Sequence, residues 1–284
     1  MTEETGAATP AQTRATMTRL AGRGYVQLRH IFVQLPDSDK PRASIVGRAV
    51  HERRHRALLL YLLLLTCWPW LKENEKPLAA SVWIRALTPP KGGGLTWSPS
   101  TLSRAWLDLE EMGLIEERTR QGRATTIIPR REDGAEEYEV PGGRTDRWNT
   151  YFSIPDAFWN EEIFAKLSLP GLAMLLIIAK ETSKKKEMYL PYNKAKEWYG
   201  ISAKSAQNGI ADLDKAGLLH RREEHLLAPL SPTGYTVRNW YSLKGDFGNE
   251  ARKAQAKLAD KERRARLKAR EKQKKSPTFK GEKP

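Results

Sequence analysis

The chain has 284 residues, 39% of them hydrophobic and nine of them Trp, which is material for one large folded core or two modest ones. Its formal net charge of +15 favours an anionic partner, and its single cysteine, Cys67, excludes an intramolecular disulfide and points to a reducing cytoplasm. The longest apolar run, 57–68, is closed by Pro69 and falls short of the roughly twenty residues that span a bilayer, so no membrane association is expected.

In chain order, residues 1–24 are polar, small and aperiodic, begin with acids and lack an apolar leader; they read as a disordered arm without a signal peptide. Residues 25–130 read as a first domain. Its predicted elements are a short strand or arm from Tyr25, an apolar helix over 56–68 and a smaller helix over 78–87. A third helix follows, capped by Ser98 with Pro99 at its first position and stopped by Gly113; a strand, turn and return strand lie over 114–119 and 124–128. The charged run 131–147, with its Pro-Gly-Gly, reads as a linker.

Residues 148–247 repeat that order. An arm from Tyr151 leads to an apolar helix over 170–181, a short helix over 193–198, a Ser202-capped helix ending at Gly217, and strands over 218–222 and 235–243. Aligned at an offset of 104, 98–115 and 202–219 share five identities in eighteen positions, at Ser98/Ser202, Asp108/Asp212, Leu109/Leu213, Gly113/Gly217 and Leu114/Leu218. Roughly one is expected by composition. Tyr25-Val-Gln-Leu with Phe32 also matches Tyr151-Phe-Ser-Ile with Phe158. The tail, 248–284, carries about nine of the fifteen net positive charges and is rich in Ala, Lys, Arg and Glu over 251–275; lacking a heptad seam, it reads as a basic helix or disordered arm and not a coiled coil.

Three helices, the third Ser-capped and followed by Gly-Leu and a hairpin, resemble the winged helix-turn-helix, and the tandem copy is similar to paired winged-helix plasmid replication initiators and to proteins of actinobacterial mobile elements. The resemblance covers 25–130 and 147–247. It implies a mainly α, α+β fold with small β-hairpins: two tandem winged-helix domains in which each third helix enters the DNA major groove and each wing lies on the backbone or in the minor groove.

The residues support a DNA role by a separate route. Leu102, Ala105, Trp106, Leu109 and Met112 make the buried stripe of the first third helix and leave Ser100, Ser103, Arg104, Leu107 and Asp108 outward; the copy shows Lys204, Gln207, Asn208 and Ala211. Ser100, Ser103, Arg104, Lys204, Gln207 and Asn208 are therefore the candidate base-reading set, since Arg suits guanine, Asn or Gln suits adenine, and short hydroxyls suit either. Thr101, Ser205, the first-wing arginines Arg118, Arg120 and Arg123, and Lys261, Arg263 and Arg264 of the tail are the candidate phosphate contacts. The second wing is apolar at its tip, and Leu226, Leu227 and Leu230 suggest a protein contact or self-association. The alternative function is a non-catalytic protein-interaction module whose basic tail alone touches nucleic acid.

Enzyme readings find little footing. His51-Glu-Arg-Arg-His55 matches H-E-x-x-H, yet the flanking Arg48, Arg53, Arg54 and Arg56 oppose a dication. Gly92-Gly-Gly94 lacks the Gly-Lys-Ser/Thr end of a phosphate-binding loop, and Cys67 lies among leucines as an inert core thiol. No catalytic residue, metal or cofactor is expected. The leading expectation is sequence-specific binding of double-stranded DNA, as a transcriptional regulator or a replication initiator of a plasmid or mobile element.

Overall fold

The computed structural model describes residues 6–36, 42–74, 77–90, 93–121, 124–142 and 146–275. The protein is mainly helical with small antiparallel sheets, an α+β fold. The first half contains α1 (Pro10–Ala21), β1 (Tyr25–Arg29), α2 (Ile45–His51), α3 (His55–Leu71), α4 (Ala80–Leu87), α5 (Pro99–Glu111), β2 (Thr119–Gln121) and β3 (Ala124–Thr126). The second contains β4 (Tyr151–Pro155), α6 (Ala157–Asn160), α7 (Ile163–Lys166), α8 (Leu169–Glu181), β5 (Met188–Tyr189), α9 (Ala195–Tyr199), α10 (Ala203–Lys215), β6 (Leu219–Leu227), β7 (Tyr235–Leu243) and α11 (Asn249–Lys275).

The two apolar helices form the floor of the core. In α3 every residue from Ala57 to Cys67 is buried, and in α8 the same holds from Gly171 to Ala179, as befits helices apolar all round. The amphipathic α5 and α10 lie across them. At Gly209 a Cβ would fall 2.3 Å from the Pro170 carbonyl oxygen, so α10 packs on α8 backbone to backbone. The repeated aspartates hold this packing: Asp108 pairs with Arg54, the N-cap of α3, and Asp212 accepts from the Ser168 hydroxyl, the N-cap of α8. Each crossing helix is thus clasped to the start of the helix beneath it.

The two halves share one sheet. β1 pairs antiparallel with β4 from Tyr25↔Pro155 to Arg29↔Tyr151, and Val26, Leu28, Phe152 and Ile154 are buried. Further bonds cross between the halves: Trp159 Nε1 donates to Thr66 Oγ1 at 3.1 Å, and Arg14, fully buried, pairs with Glu162 while donating to the Ala86 and Thr88 carbonyls. The segment present in the first half alone, carrying α2, is wedged against α9, with Gly47 against the Tyr199 carbonyl.

Two expectations change, and a third is made more definite. The arm 1–24 is not disordered over its described part: Thr9 and Gln12 form a capping box, Pro10 opens α1 and Gly22 closes it, and Thr13, Arg14, Met17 and Thr18 are buried. The stretch 131–147, expected as a linker, packs in its described part on the first half: Glu132 is wholly buried, bonded to Arg29 at 2.7 Å, and the Tyr138 ring lies under that guanidinium. The tail, expected as a basic helix or a disordered arm, is a helix over its described part, Asn249–Lys275, and the start of that helix belongs to the core. Its Arg252 is buried and donates to the Phe247, Ser153 and Ala179 carbonyls and to Thr182 Oγ1, and Gln255 donates to the Gly24 carbonyl at 2.6 Å.

Candidate nucleic-acid interface

The third helices end alike, and their ends explain their orientation. After α5, Gly113 takes φ +73°, its N–H bonds the Glu110 carbonyl, and the Leu114 N–H reaches back to Leu109; after α10, Gly217 at φ +72° and Leu218 repeat both bonds on Asp214 and Leu213. This is the Schellman arrangement, in which the left-handed glycine lets the chain reverse into a strand. The hairpins therefore start from equivalent points: β2 with β3 after α5, and β6 with β7 after α10.

On α5, Ser100, Ser103, Arg104 and Leu107 are exposed, and on α10 Lys204, Gln207, Asn208 and Ala211 are exposed. The six candidate base-reading side chains thus lie on open helix faces. The Arg104 side chain is 74% exposed, with Asp108 3.5 Å from its Nε. Asp108 itself is a correction to the outward face: it is buried under Arg54 and belongs to the α3 clasp.

The candidate phosphate contacts divide. Thr101 and Ser205 are half-buried and engaged in caps: Ser98 N–H donates to Thr101 Oγ1 at 2.8 Å, and the Ser205 N–H donates to Ser202 Oγ at 3.0 Å. Arg118 is clamped by Glu110 through Nε and Nη2 at 2.7 and 3.2 Å, an interaction that holds the Glu110 carboxyl below its ordinary range. The Arg118 guanidinium therefore fastens the first hairpin to α5 rather than reaching outward. Arg120 lies in β2, and Arg123 lies outside the described residues. Lys261 is exposed on α11, and Arg263 and Arg264 share Asp260 at 3.2 and 2.7 Å, exposed pairs that salt screens readily.

The second hairpin is longer than its sequence signals predict, with nine residue pairs from Leu219↔Leu243 to Leu227↔Tyr235. Leu227 and Leu230 are almost wholly exposed, but Leu226 is half-buried and alternates to the other face. The apolar surface is instead Leu227, Leu230, Tyr235 and Val237, with His225 stacked on Tyr235 at 4.7 Å. The opposite face carries a set missed in the sequence: the Arg238 guanidinium sits 4.8 Å from the Tyr189 ring, and that of Arg222 sits 5.5 Å from the Trp240 ring. The signal was the alternation of Arg238 with Trp240 along one strand face, visible once the hairpin register is known.

The H-E-x-x-H match is not assembled as a metal site. His51 ends α2 and His55 begins α3, with Arg53 between them at φ +58°, so the two rings do not share a helix turn. Burial, with Arg56 alongside, pushes the His55 imidazole down to about 4, and Glu52 is taken by Arg48 at 2.8 Å. No group of three metal-ligating side chains occurs among the described residues. Cys67 is buried, and burial raises its thiol far above the ordinary range. No described helix is long and apolar enough to cross a membrane.

No family model matches the chain, and no curated protein or solved structure matches it.

Proposed function

We propose that this protein binds double-stranded DNA sequence-specifically, with α5 and α10 as its two reading helices. The observation that carries the reading is the twin construction. Two equivalent helices, each serine-capped, clasped by an aspartate to an apolar helix and turned by a left-handed glycine into a hairpin, present Ser100, Ser103 and Arg104 and Lys204, Gln207 and Asn208 outward. That order resembles the winged helix-turn-helix, and these side chains match base-edge chemistry. Lys261 and its neighbours on α11 supply counterion-release affinity that carries no sequence information. Such a protein acts in the cytoplasm as a transcriptional regulator or as a replication initiator of a mobile element.

The test is selection of bound duplexes from a random library by the full chain at physiological salt. A bipartite motif supports the reading. The exposed apolar tip at Leu227 and Leu230 favours the rival, a protein-interaction module with a nonspecific basic helix. Under that rival no motif emerges, and binding disappears when Lys261, Arg263, Arg264 and Lys268 are changed to Gln.

A further inference from the structure

The register of β1 on β4 has a symmetry that the repeat makes meaningful. At the offset of 126 that aligns Tyr25 with Tyr151 and Phe32 with Phe158, Gln27 aligns with Ser153, and those two residues pair at the centre of the ladder. Outward from them the pairing is reciprocal: Tyr25 pairs with Pro155, and Tyr151 pairs with Arg29. The flanking bonds obey the same rule. The His30 N–H donates to the Thr150 carbonyl and the Asp156 N–H donates to the Gly24 carbonyl, each at 2.9 Å, and these donors and acceptors are equivalent positions of the repeat.

An antiparallel pair of strands has local two-fold axes perpendicular to its plane. Here one such axis passes between equivalent residues, so within the ladder it carries each strand onto its counterpart in the other half. From the strands outward the elements correspond: β1 packs on α3 and β4 on α8, α5 crosses α3 and α10 crosses α8, and Asp108 and Asp212 make the same clasp.

Resting on the DNA-binding reading above, we infer that the operation that exchanges the strands also exchanges the outward faces of α5 and α10, so that this chain recognises a site whose two halves run in opposite polarity along the duplex. A single chain thus does what a two-fold dimer does on an inverted repeat, because a duplex has dyads perpendicular to its axis and helices related by a dyad meet the two half-sites in inverted orientation. A tandem pair of domains related by translation along the chain would instead read half-sites of the same polarity.

Polarity is hidden in the natural site, because the outward residues of α5 and α10 differ and their half-sites differ in sequence. Transplanting one face onto the other exposes it. Lys204→Ser, Gln207→Ser and Asn208→Arg, all at exposed positions, give α10 the side chains that α5 carries at Ser100, Ser103 and Arg104. Selection with this full-length variant should return a palindromic inverted repeat, bound at least about tenfold more tightly than the same half-sites in tandem. A direct repeat overturns the inference while leaving DNA binding intact. If the natural protein selects no motif, the DNA-binding reading itself fails. Should the variant fold poorly, phosphate ethylation interference on the natural site decides: contacts that coincide when each strand is read 5′ to 3′ support the dyad, and contacts repeated by translation along one strand overturn it.

Discussion

Arg104 and Asn208 stand at equivalent positions of the repeat and are both exposed, so each can be changed without opening the core, and the proposed DNA reading assigns each to one base pair. Arg104→Ala and Asn208→Ala are each expected to lose about 1–3 kcal/mol on the selected duplex and to relax preference at a single base pair. Titration against a panel of single-substitution duplexes checks this; a loss spread evenly over all sequences would make them phosphate contacts. Buried ionisable groups give a second expectation. Burial, with Lys180 and Lys184 nearby, holds His30 at about 4, and His55 is held at about 4 as well, so the unfolded chain takes up their protons first and stability is lost as pH falls from about 6.5 to 4. Asp156 works the other way: burial lifts its carboxyl to about 7, so the folded state holds the proton more tightly and stability is gained as pH falls from about 7 to 4. Asp156→Asn should therefore melt higher than the natural chain at pH 8 and lose more of its stability on acidification, as thermal unfolding across pH 4–8 would show. These side chains were only partly legible beforehand. The exposed set followed from helical spacing, whereas Asp108 sits at the edge of that stripe, and Arg54, far away in sequence, decides its burial.

At the scale of elements, local chemistry was readable wherever it was self-contained. Ser98-Pro99, Ser202, Gly113 and Gly217 mark helix ends through bonds within one turn, and α5 and α10 fall where those marks place them. Thr9-Pro10-Ala-Gln12 and Gly22 carried the same marks for α1, but its buried side includes Arg14, Thr13 and Thr18, polar residues that hide an apolar period. The second hairpin exceeded expectation because β6 is charged and polar over much of its length and is held by nine-residue pairing with β7 and not by a buried face. The contact between α2 and α9 gives a test of element packing. A Cβ at Gly47 would fall 2.2 Å from the Tyr199 carbonyl oxygen and 3.1 Å from Gly200 Cα, both backbone atoms that cannot turn aside. Gly47→Ala should cost about 1–3 kcal/mol or more by forcing the two helices apart. Gly217→Ala meets nothing within 4 Å and strains only the backbone at φ +72°, about 1 kcal/mol, which makes it the reference. Equal losses in chemical denaturation would mean that α2 and α9 are not in close contact.

For the whole molecule, the repeat was visible in the sequence but its consequence was not. Nothing local in Tyr25–Arg29 names Tyr151–Pro155 as its partner, and a strand of five residues is indifferent to which edge it joins until the helices on either side fix the geometry. The same holds for 131–142, whose charges look solvated until Arg29 and Tyr138 enclose Glu132. Two domains on a linker would unfold separately. Here the β1–β4 ladder, the Arg14 and Trp159 bonds across the halves, and Arg252 joining α11 to β4 and α8 tie one cooperative unit together. The full chain should accordingly unfold in a single calorimetric transition whose enthalpy equals the van't Hoff value. Cutting the chain to 25–247 removes Arg14 and Arg252 and leaves the Ser153, Ala179, Ala86 and Thr88 carbonyls without those donors, at about 1–3 kcal/mol for each that stays buried and unpaired. That truncated chain should melt far below the full one, even at high salt where a merely electrostatic tail would leave stability untouched. Two separated transitions in the full chain would instead make the halves independent, and the dyad that relates α5 to α10 would then hold only while the ladder between them is formed.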